Sequence, residues 1–133
     1  MDHEIQKLHD QVNQAIIRCR RVYSVWAKKN KVSYNRMLVL YTIREYGSCT
    51  QKQVCDSYML PRQTVNHVIT EMRKEGILAV SEEMSRGKER LLHSLSLMEE
   101  RAAAQLGAER IRMMTELFME YDRVLEDALE EEE

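Results

Sequence analysis

Apolar residues recur three, four or seven positions apart between Ile5 and Trp26: Ile5, Leu8, Val12, Ala15, Ile16, Cys19, Val22, Tyr23 and Trp26. That spacing places them on one face of an amphipathic helix of roughly six turns. Its other face carries Arg18, Arg20, Arg21, Lys28, Lys29 and Lys31, a run that reads as a solvated surface before it reads as a phosphate contact. Asn30 and Lys31 mark a break, and Ser33 is the expected N-cap of a second helix through Met37, Leu38, Leu40, Tyr41 and Ile43 to Gly47. This helix is apolar over much of its circumference, so it is expected at the centre of the fold. Ser48 and Cys49 form a short link. Thr50 with Gln53 then spells a capping box, and Cys49 with Val54 the matching hydrophobic staple. The third helix therefore starts at Gln51 and ends near Met59, because Pro61 interrupts it.

The stretch from Leu60 to Gly76 reads as a further helix, with Pro61 expected at its first position and Gly76 as its left-handed exit. Val65, Val68, Ile69 and Met72 share one face; Arg62, Gln63, Asn66, His67 and Arg73 fall on the other. Two short helices with a tight joint make a helix-turn-helix. Beyond Gly76, the run Ile77 to Val80 suits a strand, the segment around Gly87 a turn, and Arg90 to Leu95 a returning strand. Helix resumes from Leu97, and Gly107 either divides two helices or sits within one bent helix. The last stretch presents Ile111, Met114, Leu117, Phe118, Tyr121, Val124, Leu125 and Ala128 along one face. The first helix is the one wall this chain offers to so broad a stripe, so a second copy of the protein is its expected cover.

The predicted fold is thus mainly α with a small β-hairpin: a winged helix-turn-helix domain over residues 31–96, flanked by dimerisation helices. The first arm covers residues 1–30, and the second, with an acidic tail, covers 97–133.

Composition agrees with a helical chain of 133 residues, which contains one Pro, four Gly and nine Met, the methionines read as core and interface filler. The net charge of −2 conceals a split. Residues 116–133 hold nine acids against Arg123 alone, a sum of −8, so the remainder carries +6. One part of the molecule can therefore face phosphates while its acidic end is repelled by them. On the recognition stretch, the residue types matter more than the net charge. A merely solvated face more often carries Glu and Lys, whereas Arg, Gln and Asn can make paired hydrogen bonds to base edges.

Other chemistries find little support. No Ser or Cys stands in a nucleophile motif, no glycine-rich phosphate loop is present, and His3, His9, His67 and His93 make no short ligand pattern. No enzyme activity, metal or cofactor is therefore expected. Cys19, Cys49 and Cys55 form no CxxC pair, which fits a reduced cytoplasmic setting, and their simplest reading is as small buried hydrophobes. No apolar run approaches a membrane span, and the start MDHEIQKLHD has no signal-peptide pattern.

The order of elements and the residues themselves resemble the MarR family of bacterial winged-helix transcription regulators. SYNRMLVLYTI looks like the family's second helix, GSCTQKQVCDSYML like its third, and LPRQTVNHVITEMRKEGIL like its recognition helix running into the wing. The similarity is dense from Ser33 to Leu78, and the helical arms match in type and length. The resemblance implies a homodimer that binds double-stranded DNA, each recognition helix entering a major groove and each wing tip an adjacent minor groove. It assigns base-edge or phosphate contacts to Arg62, Gln63, Thr64, Asn66 and His67, with Gln63 and Asn66 suited to adenine and Arg62 to guanine or a phosphate. Gln51 and Lys52, with the N–H groups at the start of their helix, would hold the DNA backbone. Arg86 and Lys88 would be the wing-tip bases. The wing segment MSRGKER departs from the family's pattern, lacking the acid that commonly stands two residues from its Arg, and Glu82 and Glu83 make its base acidic.

Relatives of this kind respond to small aromatic or amphipathic compounds, and Tyr23, Trp26, Tyr34, Met37 and Tyr41 are the candidates to line such a site. Their competing role is core packing. The function expected is that of a sequence-specific regulator, a repressor released by a small molecule. Two alternatives remain: a thiol-based redox sensor, since Cys19 lies four residues before Tyr23, and a helical protein-interaction dimer that has lost DNA contact.

Overall fold

The computed structural model describes residues 2–47, 50–78 and 86–132, with the backbone alone for 86–90. Among the described residues the helices are α1 (His3–Lys29), α2 (Tyr34–Tyr46), α3 (Gln51–Tyr58), α4 (Arg62–Lys74), α5 (Arg86–Leu106) and α6 (Ala108–Glu131). No strand occurs among the described residues. They fall into two units, Met1–His93 and Ser94–Glu133.

Local chemistry sets the helix ends in the first unit. Asp2 caps α1 by accepting from the Glu4 amide at 3.0 Å, and Asn30 closes it, its side-chain Nδ2 donating to the Trp26 carbonyl at 2.9 Å. Ser33 caps α2 as expected, its hydroxyl accepting from the Arg36 amide at 3.2 Å, and Gly47 ends the helix in the left-handed region at φ 78°. The Thr50–Gln53 capping box is complete in both directions: the Gln53 amide donates to Thr50 Oγ1 at 3.1 Å, and the Thr50 amide to Gln53 Oε1 at 2.9 Å. Cys49, the other half of the expected staple, lies outside the described residues.

At the other end of the helix-turn-helix, Pro61 is the N-cap of α4 rather than its first helical residue; its ψ of 140° is extended. Beyond α4, Gly76 takes φ 73°, its amide donates to the Arg73 carbonyl at 3.1 Å, and the Ile77 amide donates to the Met72 carbonyl at 2.8 Å. These two bonds constitute a Schellman ending, which satisfies carbonyls that the helix itself leaves free.

The core gathers around α2, as its apolar circumference requires. Met37, Leu38, Val39, Leu40 and Ile43 are buried, together with Val54 of α3 and Val65, Ile69 and Met72 of α4. α2 packs on α1, α3 and α4, and α3 packs on α4. Trp26, Ala27 and Val32 bring the end of α1 into this core. Thr42 is the one buried polar residue among those described, and its hydroxyl donates to the Leu38 carbonyl at 2.9 Å.

The expected wing needs a correction. Arg90 to Leu95, read as a returning strand, is helical and belongs to α5, as are Arg86 and Lys88, read as wing-tip bases. The buried residues here, Leu92 and Leu95, are three apart. That step suits the 3.6-residue period of a helix and puts the two on opposite faces of a strand. Residues 79–85, which hold half of the expected first strand and much of the expected turn, lie outside the described residues, while Gly87 belongs to α5.

In the second unit, Gly107 resolves the open choice in favour of two helices: its φ of 92° ends α5, and its carbonyl accepts from the Ile111 amide at 3.2 Å as α6 begins. α6 contains no buried residue. Met113, Met114, Leu117, Phe118, Met119, Val124, Leu125 and Leu129 are all exposed along it. The acidic end is helical through Glu131.

Candidate nucleic-acid interface

Because Val65, Ile69 and Met72 are buried, α4 is fixed in rotation about its own axis. Arg62, Gln63, Asn66 and His67 are exposed on the side left over, while Thr64 is half-buried. Thr70 is exposed one turn after Asn66 and Lys74 one turn further on, so the polar stripe runs the full length of the helix. Sequence reading did not single out these two, although their step of four from Asn66 was the available signal.

The start of α4 favours an anion. Pro61 offers no side-chain acceptor to its first-turn amides, and no acid stands in that turn. The start of α3 differs. Thr50 already accepts from the Gln53 amide, so this helix has fewer free N–H groups for a DNA backbone than the sequence suggested. Lys52 is exposed there, and Gln51 is half-buried. The joint between the two helices is formed by Met59, Leu60 and Pro61, with Met59 in the left-handed region at φ 52° and 89% exposed.

Two of the candidate residues touch directly. Gln51 Nε2 donates to Asn66 Oδ1 at 2.9 Å, joining the first residue of α3 to the middle of α4. At the far end of α4, both guanidinium nitrogens of Arg36 reach the Glu75 carboxylate, NH2 to Oε1 at 3.1 Å and NH1 to Oε2 closer still. That hydrogen bonding raises the Arg36 pKa further above its ordinary value, against the opposing effect of burial.

The candidate effector residues are divided. Trp26 and Met37 are closed into the core, at 7% and 2% exposure. Tyr23, Tyr34 and Tyr41 are half-buried. Tyr23 and Tyr41 meet edge to face with ring centroids 6.2 Å apart, and the Arg44 guanidinium lies 4.1 Å from the centre of the Tyr41 ring. Cys19 is exposed and Cys55 half-buried, so neither is the fully buried hydrophobe expected. Among the described residues no group of three His, Cys, Asp or Glu is placed to hold a metal ion, and no helix is long and apolar enough to cross a membrane.

No family model matches the sequence, and no curated protein matches it. Solved structures do. A MarR family regulator from Neisseria meningitidis superposes with a TM-score of 0.75 at 22% identity, over 93% of this chain and 97% of its own. A second MarR family transcription regulator matches at a TM-score of 0.69 and 14% identity, over 96% of both chains. A MarR family transcriptional regulator from Silicibacter pomeroyi follows at 0.64 and 14%, over 85% of each. With agreement extending over most of both chains in all three cases, the chain has the MarR family fold.

Proposed function

We propose that the protein is a sequence-specific DNA-binding transcription regulator, a cytoplasmic repressor that acts as a homodimer. The observation that carries this reading is the two-sided character of α4. Its apolar side is locked into the core, and the first two turns of the side left in solvent bear Arg62, Gln63, Asn66 and His67, with no Glu or Lys among them. In this reading α4 enters the major groove, where these side chains and Thr64 meet base edges or phosphates, and Lys52 holds the flanking backbone while the Gln51 amide stays on Asn66. Arg86 and Lys88, in the first turn of α5, remain candidate DNA contacts in this reading.

A homodimer follows from the apolar residues left in solvent. Ile5, Leu8, Ile17, Val22 and Val25 on α1, and Leu117, Phe118, Leu125 and Leu129 on α6, are too many for a stable monomer surface, and a second copy is the cover we propose. A small aromatic or amphipathic compound held at the half-buried Tyr23, Tyr34 and Tyr41 would release the DNA by shifting the spacing of the two α4 helices.

Fluorescence polarisation with DNA selected from a random library tests the reading. The expected result is a selected duplex bound at least ~1,000-fold more tightly than random DNA, with an affinity that falls as salt rises. Equal binding of selected and random duplex at low salt would overturn it.

A further inference from the structure

We infer that Gln51 is a positioning residue, which orients the Asn66 carboxamide so that it reads guanine rather than adenine. This inference rests on the DNA-binding role proposed above. A free Asn side chain has one acceptor oxygen and one two-hydrogen donor, and it recognises adenine by accepting from N6 while donating to N7. Asn66 is not free in that sense. Its Oδ1 accepts the hydrogen bond from Gln51 Nε2 at 2.9 Å, which fixes which end of the amide faces α3.

Asn66 Nδ2 has no protein partner among the described residues, and Asn66 is exposed. The group it offers to a groove is therefore its pair of N–H donors. Guanine presents two acceptors to the major groove, N7 and O6. Adenine presents one acceptor beside its own N6 donor, which would meet an Asn66 N–H head on. Oδ1 keeps a second lone pair, but it is held towards Gln51, so the end of the Asn66 amide left to a base is the donor.

The test is selection of binding sites from a randomised duplex library by the full-length protein and by its Gln51→Ala, Gln51→Met, Asn66→Ala and Gln51→Ala/Asn66→Ala variants. Gln51→Met keeps the side-chain length without its amide, and thermal melting verifies that each variant is folded. The expected result is a position at which the parent protein prefers G·C over A·T by about tenfold and Asn66→Ala by less than about twofold. Both Gln51 variants should lose most of that preference at the same position and keep the others, and the double variant should match Asn66→Ala there.

Adenine at the Asn66-dependent position would overturn the inference and leave the DNA-binding reading standing. A uniform loss of affinity for all sequences in the Gln51 variants would do the same, assigning Gln51 to a phosphate. Enrichment of no sequence by the parent protein would overturn both.

Discussion

Arg36, in the first turn of α2, forks onto the carboxylate of Glu75, the residue that closes α4. The pair ties the central helix of the core to the end of the helix whose exposed side is the candidate DNA surface. Its side chains are 23% and 46% exposed, so water and salt screen the attraction substantially. A double-mutant cycle with Arg36→Ala and Glu75→Ala, followed by urea denaturation, should give a coupling of about 0.5–1 kcal/mol that shrinks in high salt.

Gly76 should be intolerant of substitution for a backbone reason alone. An added Cβ would meet nothing within 4 Å, but φ is 73° and the Schellman bonds depend on it. Gly76→Ala should cost about 1 kcal/mol in chemical denaturation. A stability equal to that of the parent would mean that the chain can leave α4 by another route.

Tyr58, at the end of α3, has its pKa raised by burial, with a hydrogen bond to Thr42 acting in the opposite direction. A phenol whose pKa is higher folded than unfolded contributes stability that is complete below the unfolded value. That stability is lost as pH rises from about 10 through the folded value. Denaturation midpoints measured from pH 8 to 11.5 should therefore fall more steeply above pH ~10 for the parent than for Tyr58→Phe.

The exposed stripe of α6 should respond to charge. Leu117 is 65% exposed in the single chain, so a carboxylate there costs the monomer little. In the proposed dimer the same group would be buried without a partner. Sedimentation should show the parent at twice its 15.8 kDa chain mass and Leu117→Glu shifted towards the single chain. A parent that sediments as a monomer at all concentrations would refute the dimer.

Much of the first unit was legible because its signals are local. Ser33, the Thr50–Gln53 box, Gly47 and Gly76 each act within a few residues of themselves, and each does in the structure what its neighbours in sequence imply. The face of α4 was legible too, since Val65, Ile69 and Met72 follow the helical period. Met59 was not, because a left-handed residue with an ordinary side chain leaves no mark in the sequence. The segment Arg90 to Leu95 was misread for a related reason. Six residues with three leucines fit both a strand and a turn and a half of helix, and the continuation into α5 resolves the ambiguity.

The sequence by itself determined where α2 and α3 begin and end, which face of α4 is buried, and which polar side chains of α4 are left to meet a partner. Capping, left-handed glycines and periodicity are short-range, so they can be read along the chain. Only the tertiary structure decided that Gln51 lies against Asn66 and Arg36 against Glu75, pairs 15 and 39 residues apart. Such contacts depend on how α2, α3 and α4 pack around a shared core, and no local pattern of residues encodes the orientation of one amide towards another.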